Sequence, residues 1–424
     1  MNKYLALFKN NIFRLKNVSL YFSASLIQGL VSLAINPLIA MNMSHYDYAL
    51  TGFYTSFNSL ILPLLNLMFG QYFNRSYFEL NSEEERNDLA AKLVSTRLIF
   101  NLFEIVFILM VFHMYAKIQD IQFPVYPYGI ITFSTIIFNN IYDFYLLKLK
   151  MGKKANSFFK ISLINTALLS GLSLLFVVGF KLGSFGKLLA PQITSLILCI
   201  YLLPKITKKI ILDKNIFIDA LKFCWPLILA SASGYFLRGF DRALLVNLND
   251  NVQLGLYNVA ISISGYLTIF QTSIGNTFQP DIFEAVANNN KKKIIIIISG
   301  INLLNLIPII IFIAFAPFIT KILTAGRFTD AYTYARILAL NNVSMTLAYT
   351  SMTSIFIAKG YTFLSMSSEV IGAILSIVMF KIMINKYNFY GAAWGQVISY
   401  FLISIIGILS YFLYRKFFNK PIKR

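Results

Sequence analysis

Charge is what this 424-residue chain has least of. Only 13% of its residues are charged, about half the share of an ordinary soluble domain. With that deficit goes an apolar excess, 57% hydrophobic residues and a mean hydropathy of +0.67. The pair excludes a soluble globular protein and leaves a polytopic membrane protein. Cysteine is scarce too: Cys199 and Cys224 lie in or beside apolar runs, so no disulfide framework or metal site is expected. The two histidines, His45 and His113, stand isolated, which argues against a catalytic or metal role for either. No catalytic residue, metal or cofactor is expected. Acidic residues number 17 against 37 Lys and Arg, for a net charge of +20. That balance would also fit nucleic-acid binding, but no such motif is present. The basic residues sit in short segments between apolar runs, where they set topology beside anionic lipid heads. Membrane lipids, not nucleic acids, are the expected partners.

What is present is apolar sequence in lengths that cross a bilayer, about 20 residues each. Twelve spans are predicted: 19–41, 51–73, 93–115, 126–147, 161–180 and 188–203, then 223–248, 254–278, 294–318, 334–357, 362–383 and 391–414. The expected fold class is therefore an all-α polytopic membrane protein with twelve transmembrane helices. Basic residues concentrate at both termini and in every second loop, 27 there against 8 in the alternate loops. By the positive-inside rule both termini are cytoplasmic. No cleavable signal peptide is expected, because the first apolar run is too long and lacks a small-residue cleavage site. Residues 4–16 alternate apolar and basic, as an interfacial helix does. Residues 79–92, the most polar stretch, read as a solvated cytoplasmic helix.

The two halves repeat each other. Gly52-Phe53-Tyr54 returns as Gly255-Leu256-Tyr257, and Phe78-Glu79 as Phe283-Glu284. Lys181, Phe185 and Gly186 return as Lys386, Tyr390 and Gly391, and Gln192 and Ser195 as Gln396 and Ser399. Such a register at matching places in the span pattern predicts two six-helix lobes, 1–204 and 205–424, of the same topology. They should be related by an axis along the membrane normal, with a substrate site near mid-bilayer.

Against this apolar background stands Arg238-Gly-Phe-Asp241-Arg242, inside span 223–248. Ionised groups there cost several kcal/mol unless paired or solvated. The repeat aligns the cluster with residues 35–39, which carry no charge, so it belongs to the second half alone. Two readings stand side by side. In one, Asp241 neutralises an arginine and the cluster locks neighbouring helices. In the other, two guanidinium forks and one carboxylate make a net cationic site for an anion. Glu104, Asp143 and Glu369 are further intramembrane carboxylates. With Asp241 they are the candidates for ion coupling, and each fits equally a hydrogen-bonded packing residue. Polar residues along spans two and eight (Asn58, Asn66, Gln71; Asn258, Gln271, Asn276, Gln279) suggest a wettable face in each half. Interhelical hydrogen bonding is the plainer explanation. Tyr54 and Tyr257 are offered as sugar-stacking rings.

The chain resembles the multidrug/oligosaccharidyl-lipid/polysaccharide (MOP) exporter superfamily over essentially its whole length. Within it, the chain is most similar to the Wzx-type O-antigen and capsule repeat-unit flippases. The resemblance is carried by the span count, by the segment from Pro226 through Asp241-Arg242 to Gly255-Leu256-Tyr257, by a polar span eight ending in Gln279-Pro280, and by Gly391-Ala-Ala-Trp-Gly-Gln396. It implies two six-helix lobes (MOP/MATE-like) around a central cationic cavity in the bacterial inner membrane. It implies a cargo of undecaprenyl-pyrophosphate-linked oligosaccharide, moved from the cytoplasmic to the periplasmic leaflet by alternating access with ion coupling. Polysaccharide polymerase and chain-length proteins are the partners that setting implies. Arg238 and Arg242 would then meet the cargo, with Arg75 and Arg97 guiding it in from the cytoplasmic side. A MATE-type antiporter of small molecules or cations is the alternative; a cationic drug would favour carboxylates without compensating arginines. A membrane glycosyl polymerase or ligase would carry a long periplasmic loop, and loops such as 117–125 and 320–331 are too short. An enzyme is not expected.

Overall fold

The computed structural model describes residues 20, 23–24, 26–77, 79–287, 290–344 and 362–417. Among them every regular element is a helix. The expected interfacial helix at 4–16 and the second half of span ten, 345–357, lie outside the described residues. In chain order the helices are α1 (Leu26–Met41), α2 (His45–Ser56), α3 (Asn58–Asn66), α4 (Phe69–Ser76), α5 (Glu83–Ile118), α6 (Tyr128–Met151), α7 (Ala155–Ser173), α8 (Gly183–Ile206) and α9 (Lys214–Ser233). They continue as α10 (Tyr235–Arg238), α11 (Phe240–Leu245), α12 (Asn251–Ala287), α13 (Lys291–Leu323), α14 (Ala331–Ser344) and α15 (Thr362–Phe417). Seven helices among the described residues are long and apolar enough to cross a membrane. One, Met366–Gly407, holds parts of two predicted spans, because α15 is two helices joined at Asn388 (φ 50°, ψ −127°).

Local sequence explains the helix ends. Ser44 caps α2 by accepting from the Asp47 N–H at 3.1 Å, while Asp47 Oδ2 accepts from the Ser44 N–H at 2.9 Å, a reciprocal capping box. Ser82 likewise caps α5 by accepting from the Glu85 N–H at 3.1 Å, with Glu83, Glu84 and Glu85 in the first turn where a helix favours negative charge. The polar stretch 83–92 is thus the first turns of span three, within one helix of 36 residues. At about 1.5 Å per residue that helix is far longer than the hydrocarbon layer.

Two predicted spans are broken rather than continuous. Span two becomes α2, α3 and α4, separated at Phe57 and at Leu67–Met68, whose φ angles are 51° and 52°. Span seven becomes α9, α10 and α11. Irregular backbone at membrane depth persists only where protein or a watery cavity surrounds it.

By contact density the chain forms two compact units, residues 1–43 with 61–228, and residues 44–60 with 229–424. This partition differs from a division at residue 204: α2 packs with the second unit and most of α9 with the first. The first unit is cored by Leu67, Phe69, Phe73, Leu93, Ile141, Phe144, Leu198 and Leu202. In the second unit α12 packs on α2, α13 and α14.

The repeat seen in sequence has a backbone counterpart. Asp120 and Ala325, and Gly183 and Asn388, are two pairs with φ between 49° and 52°, each pair 205 residues apart. Gly186 and Gly391 serve one purpose: a Cβ would lie 3.0 Å from the Phe176 carbonyl in the first case and 2.0 Å from that of Met383 in the second. Both glycines let a helix start against the backbone of the helix before it.

Candidate functional site

In the second unit the charged cluster sits on the broken part of span seven. Gly239 (φ −134°, ψ −26°) separates α10 from α11. Its lack of a side chain is required, since a Cβ would approach the Ser56 carbonyl oxygen of α2 to 2.5 Å. Asp241 follows at the start of α11 and is 0% exposed. Its Oδ2 accepts from the Tyr257 hydroxyl at 2.6 Å and from Gln396 Nε2 at 2.8 Å, tying α11 to α12 and α15. Arg242 Nε lies 3.8 Å from Asp241 Oδ1. The same guanidinium donates to the Arg238 carbonyl at 2.6 Å and, from Nη1, to the Gly52 carbonyl at 3.4 Å.

Arg238 differs from both. It is exposed, and its Nε donates to the Tyr400 hydroxyl at 2.7 Å. Tyr400 is itself 1% exposed and belongs to a small apolar cluster with Leu237 and Ile403. The Arg238 side chain is therefore anchored at one nitrogen on a buried tyrosine while the residue remains accessible.

The glycine motifs of the repeat lie at the crossing of α2 and α12. A Cβ on Gly52 would fall 2.0 Å from the Asn258 side chain, and one on Gly255 2.3 Å from the His45 carbonyl oxygen. Tyr54 and Tyr257 are both 0% exposed, so neither is a platform for a sugar. Burial of this aromatic pair inside the crossing is the reason, and Tyr257 spends its hydroxyl on Asp241. The polar face expected along spans two and eight is mixed. Asn258 is buried beneath Gly52 and Gln271 Nε2 donates to the Asn342 carbonyl at 2.9 Å, whereas Gln71 is exposed. The side chains of Asn276 and Gln279 lie outside the described residues.

The first unit holds a second cluster. Arg97, on α5, is 1% exposed, a buried cation rather than a surface one. Its Nε and Nη2 have no hydrogen-bond partner among the described residues, and its charge is met by those of Asp143 and Glu104. Glu104 is half-buried and accepts from the Asn101 amide nitrogen at 3.0 Å, in the amide orientation that also serves the Leu65 carbonyl at 2.7 Å. Asp143, on α6, is exposed and accepts from Asn139 Nδ2 at 2.8 Å. Asn140, next to Asn139, is 1% exposed, and neither of its amide atoms has a hydrogen-bond partner among the described residues.

Arg75, at the end of α4, is exposed, 3.8 Å from Glu79 and with its guanidinium carbon 4.9 Å from the centre of the Phe223 ring. Glu369 is half-buried on α15. No group of three or more His, Cys, Asp or Glu able to hold a metal occurs among the described residues. Sequence reasoning missed Gln396, Tyr257 and Tyr400 as partners of the cluster. Gln396 and Tyr257 stood in repeat motifs, a usable signal; Tyr400 carried none.

A profile of the polysaccharide biosynthesis protein family matches residues 14–286. An uncharacterised membrane protein of Methanocaldococcus jannaschii is 26% identical over 258 residues, 56% of this chain. The matched stretch spans 60% of that relative's length. Among solved structures, an inward-facing multidrug resistance MATE family transporter of the MOP superfamily aligns with a TM-score of 0.76 at 14% identity, over 96% of this chain and 100% of its own. The lipid II flippase MurJ, in an inward closed conformation, aligns at 0.67 and 16%, over 93% of this chain and 87% of its own. A MOP superfamily transporter from Pyrococcus furiosus, described as having a binding pocket of reversed polarity, aligns at 0.57 and 14%, over 96% of each chain. At these identities the likeness is one of fold.

Proposed function

The chain belongs to the polysaccharide biosynthesis protein family, and we propose that it is a flippase for an undecaprenyl-pyrophosphate-linked oligosaccharide of the O-antigen or capsule kind. It carries that cargo from the cytoplasmic to the periplasmic leaflet of a bacterial inner membrane, with both termini cytoplasmic. Membership in the family and the multi-pass MOP-type fold support a transporter or lipid flippase rather than an enzyme. The narrower reading rests on one observation: an exposed arginine, Arg238, beside an Asp241–Arg242 pair already committed to helix contacts. Asp241 and Arg242 largely offset each other, and Arg238 is exposed beside them, where an anion can reach it. A guanidinium presents a planar fork that suits phosphate oxygens. Discontinuous helices are where transporters of this general kind build their sites.

In this reading Arg238 contacts the pyrophosphate or an acidic sugar during transit, and Arg75 meets the cargo as it arrives from the cytoplasm. Arg97 is assigned to ion coupling, since its two carboxylate neighbours and its burial suit a group that shifts with their protonation or ion occupancy. Alternating access links the two. A strain lacking its own repeat-unit flippase gives the test. Arg238→Ala, expressed at the wild-type level, is expected to lose surface polysaccharide, and Arg238→Lys to restore only part of it. Full restoration by both would rule the assignment out. Drug resistance conferred by the wild-type chain, with no polysaccharide phenotype, would favour the MATE-type antiporter instead.

A further inference from the structure

We propose that the first unit carries a separate anion site, one that takes a phosphate group at the end of the bundle where α5 and α7 begin and α6 and α8 finish. Glu83, Lys148, Lys154 and Lys205, from those four helix ends, line a single cavity of about 290 Å³ together with Arg86. Four cations therefore surround one acid.

Their contacts hold the positive charges in place without cancelling most of them. Lys154 Nζ pairs with Glu83 Oε1 at 2.8 Å. Arg86 donates from Nε to the Tyr77 carbonyl at 2.9 Å and from Nη2 to the Leu80 carbonyl at 2.8 Å, with its guanidinium 4.5 Å from the centre of the Tyr77 ring. Lys205 Nζ rests 3.6 Å from the centre of the Tyr201 ring. Lys148 has no ion pair among the described residues and feels the charges of both Lys154 and Glu83. Three positive charges are thus left over around one partly open cavity, a mutual repulsion that an anion relieves.

Gly152 is part of the cavity lining. A Cβ on Gly152 would stand 3.3 Å from the Lys148 carbonyl and 3.6 Å from the Tyr77 hydroxyl, so its absence keeps this part of the cavity open. Ser157 and Asn87 add neutral donors to the lining. Donors converging from several helices suit a phosphate, whose oxygens accept along several directions. The positive-inside rule sets this end of the helices at the cytoplasmic surface, where both anionic phospholipid headgroups and free phosphate are found. The site does not depend on the flippase reading, because none of its residues belongs to the Arg238 cluster.

The full chain, reconstituted in nanodiscs of phosphatidylcholine with a minor share of phosphatidylglycerol, is extracted mildly, and its retained lipids are counted by native mass spectrometry. Wild type is expected to retain phosphatidylglycerol. Lys148→Gln with Lys205→Gln, and separately Gly152→Leu, which fills the cavity without touching its charge, are expected to reduce that retention about tenfold or more. Lys208→Gln with Lys209→Gln removes the same charge from the adjacent segment outside the cavity and is expected to leave retention unchanged. In phosphatidylcholine alone, a rise in melting temperature with inorganic phosphate, abolished by Gly152→Leu, would identify free phosphate as the ligand. If the variants do not fold, acylation of the wild-type lysines decides the matter. Lys148 and Lys205 should be protected by phosphatidylglycerol or phosphate while Lys208 and Lys209 are not. Equal loss in the cavity and control variants, equal protection of all four lysines, or no response to either anion would overturn the proposal.

Discussion

Each unit holds an arginine beside acid, on opposite plans: a partly buried Arg242 against Asp241 in the second, a fully buried Arg97 near Glu104 and Asp143 in the first. In the second unit the charged residues occupy a break in a helix and bond directly to neighbouring helices: Asp241 Oδ2 accepts from Tyr257 and Gln396, and Arg242 donates to two carbonyls. Asp241 Oδ1 and Arg242 Nε, 3.8 Å apart, have no hydrogen-bond partner among the described residues. In the first unit Arg97, Glu104 and Asp143 sit on the unbroken helices α5 and α6, and the arginine reaches its acids only through space. A buried network of direct bonds rigidifies a fold, whereas a buried charge without direct bonds contributes little to stability. In the proposed reading the contrast separates a structural lock, with Arg238 exposed beside it, from an ion-coupling cluster.

That contrast can be broken from either side. The largest effect is expected from Asp241→Ala, which leaves the partly buried Arg242 without its acid and Tyr257 and Gln396 without their acceptor. Loss of one partner from such a buried pair costs about 3–5 kcal/mol, visible as a clear fall in the melting temperature of the purified protein. Next comes Arg97→Met, with the opposite sign. Replacing a poorly bonded buried charge by an apolar side chain is expected to be neutral or to stabilise by about 1–4 kcal/mol, while transport in cells falls. If Arg97→Met destabilises as strongly as Asp241→Ala, the two clusters are alike and the distinction collapses. A smaller loss is expected from Tyr257→Phe, about 1–3 kcal/mol in thermal or chemical unfolding, because Gln396 still serves the same carboxylate oxygen. A change near zero would mean that the Tyr257 bond does not help to hold the lock.

How much of this was legible in the sequence follows from how local each feature is. Apolar runs of bilayer length declare helices by themselves, and the charged cluster stood out because nothing near it was charged. The glycine repeat was also visible, though its purpose was not: Gly52 and Gly255 are needed by partners on another helix. The breaks in spans two and seven were hidden for the same reason. Gly239 interrupts its helix beneath the Ser56 carbonyl, a contact between residues far apart in the chain, while hydropathy registers only length. Asn258 read as part of a wet face because polarity was visible and burial was not. Arg97 looked like a cation near the cytoplasmic edge; the folding of α6 and α8 against α5 encloses it.

The central claim is that Arg238, and not the Asp241–Arg242 lock, meets an anionic cargo. Its most direct test is the initial rate at which proteoliposomes flip a fluorescent undecaprenyl-pyrophosphate oligosaccharide, compared between wild type and Arg238→Gln at equal reconstitution. The substitution loses one hydrogen bond to Tyr400, so a loss of unfolding free energy of no more than about 1.5–3 kcal/mol is expected. The flipping rate should fall about tenfold or more, the change that follows when a charge-assisted contact to phosphate is lost. A wild-type rate from Arg238→Gln would contradict the account.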